Sequence, residues 1–169
     1  NLRPLVNNKR LKVAGDTAYK WQGYSWQTEK NAWPISSLKK LLNENSAYIT
    51  DCGKANKKIN QLCFELEKIF NRPVDCHIYF SFKKYMKGFG KHKDVSNNFI
   101  VLCQGKIKVE VWSEKKIEKI MAPGDYVFIP AQIYHKITPI SDKRLSCSFH
   151  ISHHKNDRFF DEREWLTLK

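Results

Sequence analysis

Two stretches of the chain predict its fold and its site: YFSFKKYMKGFGKHKDVSNNFIVLCQGKIKVEVW (Tyr79–Trp112) and APGDYVFIPAQIYH (Ala122–His135). In the first stretch His92 and Asp94 are two positions apart, so in an extended segment both side chains leave the same face. A neutral imidazole beside a carboxylate makes up two thirds of the 2-His-1-carboxylate set, which holds Fe(II) and leaves other coordination positions open. The second stretch ends at His135, which can supply the third ligand. The sequence therefore predicts a metal site on a β-scaffold.

The spacing around these three residues resembles the two sequence motifs of the cupin superfamily. Asn98 follows Asp94 by four positions, and Gly105 follows Asn98 by seven. In the second stretch a proline stands six positions after the glycine of Gly-Asp, and His135 comes five positions after that proline. Because both sets of intervals occur in one chain, the resemblance is stronger than His-x-Asp alone would make it.

Within that superfamily the chain is most similar to the JmjC and cupin-like hydroxylase branch. The similarity lies in G-F-G-x-H-x-D (Gly88–Asp94) and in G-D-x-x-x-I-P-x-x-x-x-H (Gly124–His135), and it extends over residues 36–151. The chain departs from the usual cupin motifs at Asn98, where a Glu is usual, and at Gln132 and Pro139, where a Gly and an Asn are usual.

The resemblance implies a fold, a chemistry and several site residues. The fold would be a double-stranded β-helix, also called a cupin or jelly-roll barrel. The chemistry would be that of an Fe(II)- and 2-oxoglutarate-dependent dioxygenase, using O2 to hydroxylate a protein side chain or another macromolecule. His92, Asp94 and His135 would bind Fe(II) and be the catalytic residues. Asn98 would touch the metal-bound cosubstrate, and Ser148 would line the cosubstrate pocket.

The far carboxylate of 2-oxoglutarate needs a cation to bind it. The resembling family usually places Lys or Arg two residues after the glycine that matches Gly105, where this chain has Ile107. We expect Lys83, on the same strand face as Tyr79, or the phenol of Tyr79 itself to take that place. On the last predicted strand, serines and a histidine alternate with apolar residues, which indicates either a wet pocket wall or an outward face.

Two other functions remain open at this point. One is a cupin metalloenzyme that does not use 2-oxoglutarate, which would explain Ile107. The other is a non-catalytic cupin-like module that binds nucleic acid or a ribonucleoprotein. The second alternative draws on 30 Lys+Arg against 17 Asp+Glu, a net charge of +13, which favours an anionic partner such as nucleic acid, a ribonucleoprotein or an acidic protein. An ordinary lysine-rich surface explains the same charge about as well.

At 169 residues the chain is long enough for one domain with one core. We expect a mainly β domain with N-terminal helices (α+β): a helical cover over 1–75, the barrel over 76–151 and a tail over 152–169. Apolar spacing predicts a helix from about Lys54 to Phe70, ended by Pro73, and a shorter one ending near Asn45. Period-two patterns predict strands at 77–83, 97–103, 106–112, 117–121, 126–129 and 144–151, with a short one at 48–50. The tail, 157–168, is expected to form a packed helix.

Five scattered cysteines without a CxxC pair indicate a reducing compartment. Cys63, Cys103 and Cys147 are expected to be buried small hydrophobes. No apolar run reaches the length of about 20 residues that crosses a bilayer, and the first ten residues lack a signal-peptide hydrophobic segment. A cytoplasmic protein without a membrane partner is the resulting expectation, and the oligomeric state is left open.

Overall fold

The computed structural model of the chain describes residues 11–13, 40, 42–54 and 56–152. Within them, two antiparallel sheets face each other, and one long helix packs on the outside of the larger sheet. The strands are β1 (Leu11–Val13), β2 (Ala47–Ile49), β3 (Val74–Ser81), β4 (Asn97–Gln104), β5 (Ile107–Trp112), β6 (Lys116–Met121), β7 (Tyr126–Ile129), β8 (Tyr134–Pro139) and β9 (Arg144–Ile151). The helix α1 spans Lys57–Phe70, and a 3-10 turn covers Cys52–Lys54.

The larger sheet has the strand order β1-β2-β3-β9-β4-β7, and the smaller one β6-β5-β8. Strands that are distant in sequence are therefore neighbours, and the chain passes repeatedly from one sheet to the other. This crossing pattern closes the two sheets around a common interior, as a jelly roll does. The prediction of a mainly β, double-stranded β-helix fold is confirmed.

Because side chains alternate along β4 and β9, the two faces of the larger sheet pack against different parts of the protein. Outward side chains such as Phe149 and Ile151 pack with Cys63 and Leu66 of α1 in one hydrophobic cluster. Inward apolar side chains form a second cluster between the sheets: Ile100, Leu102, Ile107, Val109, Met121 and Ile129. Toward the other end, the interior of β9 is polar instead, with Ser146, Ser148 and His150 all buried. The polar face predicted on this strand therefore lines the interior.

Helix α1 begins at Lys57 because the side chain of Asn56 accepts a hydrogen bond from Lys58 N at 2.8 Å, an N-cap contact. It ends at Asn71, which takes a left-handed conformation with φ of 51°. The predicted end at Phe70 is confirmed, whereas the helix begins at Lys57, three residues after the predicted start near Lys54. After the turn, Glu67 accepts a hydrogen bond from Val74 N at 2.9 Å and fixes where β3 starts.

Four further differences from the expectations concern strands and one cysteine. The predicted 77–83 strand ends earlier, at Ser81, and β8 was not predicted as a strand. Besides α1, the region 1–75 contributes two strands to the larger sheet: β2, close to the short strand predicted at 48–50, and β1, which was not predicted. Cys103 is exposed rather than buried, because a bulge between Leu102 and Gln104 breaks the alternation of β4.

Some expectations fall outside the described residues: the start of the helix before Asn45, where only 40 and 42–44 are seen to be helical, and the predicted helix at 157–168. Among the described residues, no helix combines the length and hydrophobicity required to cross a bilayer.

Candidate metal centre

A pocket opens between the two sheets and encloses about 440 Å³ of empty space, part of it open to solvent. The larger sheet contributes its wall through β3, β4 and β9, and the smaller sheet through β8 and the segment before β4. Its lining residues are Tyr79, Phe89, Gly90, His92, Asp94, Asn98, Ile100, His135, Ile137, Arg144, Ser146 and Ser148. All three predicted metal ligands lie here.

His92 and His135 are held side by side by their own backbones. His92 N donates to His135 O at 3.0 Å, and His135 N donates to His92 O at 2.7 Å. This is one antiparallel bridge, formed between β8 and the segment before β4. It places both imidazoles on the inner face, with ring centroids 4.4 Å apart. The proximity of two of the three candidate ligands therefore follows from main-chain geometry.

The imidazoles present the same ring nitrogen to the interior. His92 Nδ1 lies 3.2 Å from Gly90 O, and His135 Nδ1 lies 3.0 Å from Ile133 O. A carbonyl oxygen can only accept, so each Nδ1 carries the hydrogen and each Nε2 keeps its lone pair. This is the arrangement in which a backbone carbonyl orients a metal-binding histidine.

Asp94 completes the cluster. Its Oδ1 is 3.8 Å from His92 Nε2, and its Oδ2 is 3.4 Å from His135 Nε2. One donor atom from each of the three residues lies within 4.8 Å of the others, so the group could hold a metal ion. Donor atoms around one first-row ion lie about 3 Å apart. Small side-chain shifts would bring these atoms to that spacing.

The protonation states also suit a cation. Burial acts to raise the pKa of Asp94, but its close contact with His135 and the other nearby imidazoles outweigh it and hold that pKa well below its usual range. Burial lowers the pKa of His92, and the neighbouring Asp94 offsets this only in part. At neutral pH the cluster therefore presents a carboxylate and a neutral His92 imidazole, the forms that bind metal ions.

Asn98 supports Asp94 from the next strand. Its Nδ2 donates a hydrogen bond to Asp94 Oδ2, and Gln132 N donates to Asp94 O at 2.8 Å. The amide oxygen of Asn98 is buried and has no hydrogen-bond partner among the described residues. A buried acceptor without a donor is costly. Asn98 is thus positioned to receive a donor from a molecule in the pocket.

Arg144 is the pocket residue that the sequence reasoning missed. It is buried at 4% exposure, and its Nη1 donates to Ser146 Oγ at 3.4 Å. The guanidinium carbon lies 5.9 Å from the ring centroid of Tyr79. No carboxylate of the described residues is within ion-pair distance, and Nε has no partner there. Burial lowers the pKa of Arg144 to about 10, which still leaves it cationic at neutral pH.

The structure brings together most of the predicted site residues. Asn98, Tyr79 and Ser148 line the same pocket as the three candidate ligands. Lys83 does not: it is exposed in the turn after β3, where its N–H donates to Met86 Sδ at 3.2 Å. The expectation that Lys83 faces the pocket is therefore wrong. The signal for Arg144 was its place as the first even-numbered residue of β9, on the same face as Ser146 and Ser148.

A second histidine pair lies behind Asn98. His150 is buried, and its Nδ1 is hydrogen-bonded to Ser96 Oγ at 3.0 Å. The ring centroid of His150 lies 3.9 Å from that of His77. His77 Nε2 in turn lies 3.4 Å from Asp75 Oδ2. Burial lowers the pKa of His150 well below its ordinary value. Neither histidine of this pair is among the residues that line the pocket.

No protein-family model matches the sequence, and no curated protein matches it either. Among solved structures, the Escherichia coli ribosomal oxygenase YcfD aligns over 74% of this chain with a TM-score of 0.55 and 20% identity. This chain spans 35% of the YcfD chain. A cupin superfamily protein from Desulfitobacterium hafniense aligns over 48% of this chain and 69% of its own (TM-score 0.40, 15% identity). Fe(II)-HppE aligns over 62% of this chain and 49% of its own (TM-score 0.40, 9% identity). The similarity to YcfD shows a common fold, the two-sheet arrangement described above.

Proposed function

We propose that the chain is an Fe(II)- and 2-oxoglutarate-dependent oxygenase, a hydroxylase that acts on a protein side chain or another macromolecule. The observation that carries the proposal is a buried, uncompensated cation, Arg144, in the same pocket as the His92, Asp94 and His135 cluster. The resemblance in the motifs and the shared fold with a ribosomal oxygenase support the same conclusion.

The donor set fits Fe(II). Two neutral imidazoles and one carboxylate are the facial set of non-haem Fe(II) oxygenases, and a site built only for zinc would more often include cysteine or a third histidine. The unpartnered amide oxygen of Asn98, beside Asp94, also points to a missing polar neighbour in this pocket. Fe(II) bound by these residues would supply the reaction with O2, while the protein supplies position and a closed surrounding.

The burial of Arg144 points to an anionic ligand in the pocket. A guanidinium taken out of water without an anion is unfavourable by several kcal/mol, and one hydroxyl contact to Ser146 does not offset that cost. A carboxylate entering the pocket would pair with the guanidinium, and such charge-assisted bonds are among the strongest in proteins. We infer that Arg144 supplies the cation that the resembling family usually provides with a Lys or Arg at the position where this chain has Ile107.

The strand register separates the metal cluster from the guanidinium along the pocket. Asn98 pairs with His150, whereas Leu102 pairs with Ser146, so the guanidinium beside Ser146 lies further along β9 than the metal cluster. Four residues of a strand span about 13 Å. A five-carbon dicarboxylate could reach from the cluster toward Arg144 past Ser148, while Tyr79 and Ile137 shield it from water.

The test is an anaerobic titration. Fe(II) and then 2-oxoglutarate are added to the metal-free protein, and the visible charge-transfer band of the chelate is followed. We expect a band in the wild type and in Lys83→Ala, the matched control that removes an exposed cation of the same region. We expect no band in Asp94→Ala, and in Arg144→Met a band only at much higher 2-oxoglutarate concentration.

The outcomes separate the alternatives. Iron binding without a band at any 2-oxoglutarate concentration would reject the cosubstrate and favour a cupin metalloenzyme of another kind. No iron binding would favour a non-catalytic module. Equal affinity of the wild type and Arg144→Met for 2-oxoglutarate would reject the assignment of Arg144 while leaving the oxygenase in place.

A further inference from the structure

The outer face of the smaller sheet carries a row of lysines and aromatic rings at the end nearest the metal cluster. Trp112 of β5 and Tyr134 of β8 are directly opposite each other in the β-ladder. Lys91 Nζ lies 4.4 Å from the ring centroid of Trp112 and 5.2 Å from that of Tyr134, and Lys93 Nζ lies 5.6 Å from that of Tyr134. We call Lys91, Lys93, Trp112 and Tyr134 the lysine–aromatic row.

The two lysines of the row keep their charge available. Among the described residues no carboxylate is within ion-pair distance of Lys91 or Lys93, and both are exposed. The next lysines on this face differ. Lys116 is bridged to Glu110 at 2.8 Å and also to Glu118, and Lys108 lies 3.4 Å from Glu110. Lys91 and Lys93 are therefore able to pair with an anionic ligand.

The rings of the row are accessible as well. Tyr134 is 45% exposed and Trp112 is half-buried, although both sit on a sheet whose other face is a hydrophobic core. In this structure the lysine ammonium groups cover the rings, an interaction that is weak at exposed sites. A planar, anionic ligand could therefore replace the lysines over the rings and take the lysines as partners for its charge.

We propose that the lysine–aromatic row binds single-stranded nucleic acid, with bases stacked on Trp112 and Tyr134 and phosphates paired with Lys91 and Lys93. Sequence-tolerant single-strand binding combines aromatic stacking with a basic surface in this way. An acidic peptide would use the two lysines but would leave the exposed rings unexplained. A duplex would offer phosphates but no unstacked bases. The net charge of +13 on the chain favours the same class of partner.

The row is also close to the metal cluster along the chain. Lys91 and Lys93 flank His92, and Tyr134 precedes His135. Because side chains alternate along an extended segment, the two lysines and Tyr134 lie on the outer face, whereas the two histidines face the pocket. A strand bound at the row would lie beside the segment that carries two of the candidate ligands. The binding itself needs no metal, and it stands or falls independently of the proposed oxygenase.

The experiment measures the anisotropy of a fluorescein-labelled single-stranded RNA of about 12 nucleotides, a length in the range of such sites. The protein is metal-free, in chelator, at several salt concentrations. The variants are Trp112→Leu, Tyr134→Leu and the double variant Lys91→Ala/Lys93→Ala. The control is Lys57→Ala/Lys58→Ala, which removes the same charge from the exposed start of α1. Circular dichroism verifies that each variant is folded.

We expect each leucine variant to bind roughly tenfold more weakly than the wild type. The double lysine variant should lower the slope of log K against log salt by about 1.4, since each phosphate contact to a single strand contributes about 0.7. The control should change neither quantity. A duplex RNA of equal length should bind more weakly than the single strand.

Three results would overturn the proposal. The first is no binding by the wild type. The second is equal affinity for duplex and single strand with leucine variants that bind normally. The third is displacement of the RNA by polyglutamate at equal charge, which would assign the row to an acidic protein instead. Because no metal is present, none of these results bears on the charge-transfer titration of the oxygenase.

Discussion

Replacing Arg144 by methionine should affect stability in two opposite ways. Without ligand, Arg144→Met should stabilise the protein, because the buried guanidinium has no carboxylate partner. Its pKa of about 10, against an ordinary value above 12, corresponds to about 3 kcal/mol that disfavours the buried charge. Loss of the Ser146 hydrogen bond and of the contact with the Tyr79 ring should destabilise the variant by about 1 to 2 kcal/mol. The net gain is about 1 to 2 kcal/mol, within the range found when buried ions are replaced by apolar groups.

For a chain of this length such a gain raises the melting temperature by about 2 to 8 °C. With Mn(II), a redox-silent substitute for Fe(II), and 2-oxoglutarate at about 100 times its Kd, the wild type should gain about 2.7 kcal/mol more. Arg144→Met should gain only what the metal contributes.

Differential scanning fluorimetry and urea titration, each with and without Mn(II) and 2-oxoglutarate, measure both effects. The control is Arg72→Met, which removes a half-buried guanidinium that donates to Asn71 O at the end of α1, and it should stay within about 0.5 kcal/mol of the wild type. If Arg144→Met were less stable than the wild type and kept its full response to 2-oxoglutarate, Arg144 would be a structural residue and the reasoning from its burial would be refuted.

Three further predictions concern the scaffold, each measured by urea unfolding. Gly105→Ala should lower the free energy of unfolding by about 2 to 4 kcal/mol, because φ is +79° and an added Cβ would lie 2.7 Å from Ser141 Oγ and 3.0 Å from Arg144 Cα. Gly124→Ala, where φ is +92° but the space is open, should lower it by only about 1 kcal/mol. Equal losses of stability would contradict the steric explanation. Stability should fall as the pH drops below about 6.5, because burial lowers the pKa of His150 below its ordinary value of 6.5 and the unfolded state then binds the proton first. His150→Gln should reduce this slope by about 1.4 kcal/mol per pH unit, and an unchanged slope would show that His150 does not titrate in this way. Asn56→Ala should lower the free energy of unfolding by about 1 kcal/mol, because α1 loses its N-cap hydrogen bond. Asn71→Gly, at the exposed left-handed end of α1, is the control and should change stability by about zero. Unchanged stability in Asn56→Ala would mean that the cap contributes nothing.

The fold could be predicted because its strands show their period. In β9 apolar outward residues alternate with polar inward ones, and Tyr126–Ile129 and Arg144–Ile151 were predicted at their observed bounds. Strand β8 was hidden because its inward positions include His135 and Pro139, which are not the apolar residues that a half-buried strand usually presents. Its pairing with β5 is a long-range contact that no local pattern reports.

The candidate site divides in the same way. The three clustered residues follow from short-range spacing and from one turn-plus-strand unit, so the sequence was sufficient to name them. The buried cation was not predicted, since an arginine at the start of a strand usually faces solvent. Its burial depends on β3 lying next to β9, where Tyr79 faces Ser146. Lys83 was assigned wrongly because β3 ends at Ser81, and Asp142 then accepts a hydrogen bond from Lys84 N at 2.8 Å and holds the turn away from the pocket.

The pair of backbone hydrogen bonds between His92 and His135 has a consequence for how quickly an ion could exchange. The backbones of two of the three ligand residues keep their spacing through a closed ring of main-chain atoms, which exists before any ion arrives. Little backbone entropy remains to be lost at those two residues when an ion binds, so the remaining adjustment is confined to side chains. Loading and release should then be limited by diffusion through the pocket mouth and by shedding of water from the ion. Hydrogen exchange at these two amides should consequently be equally slow with and without metal.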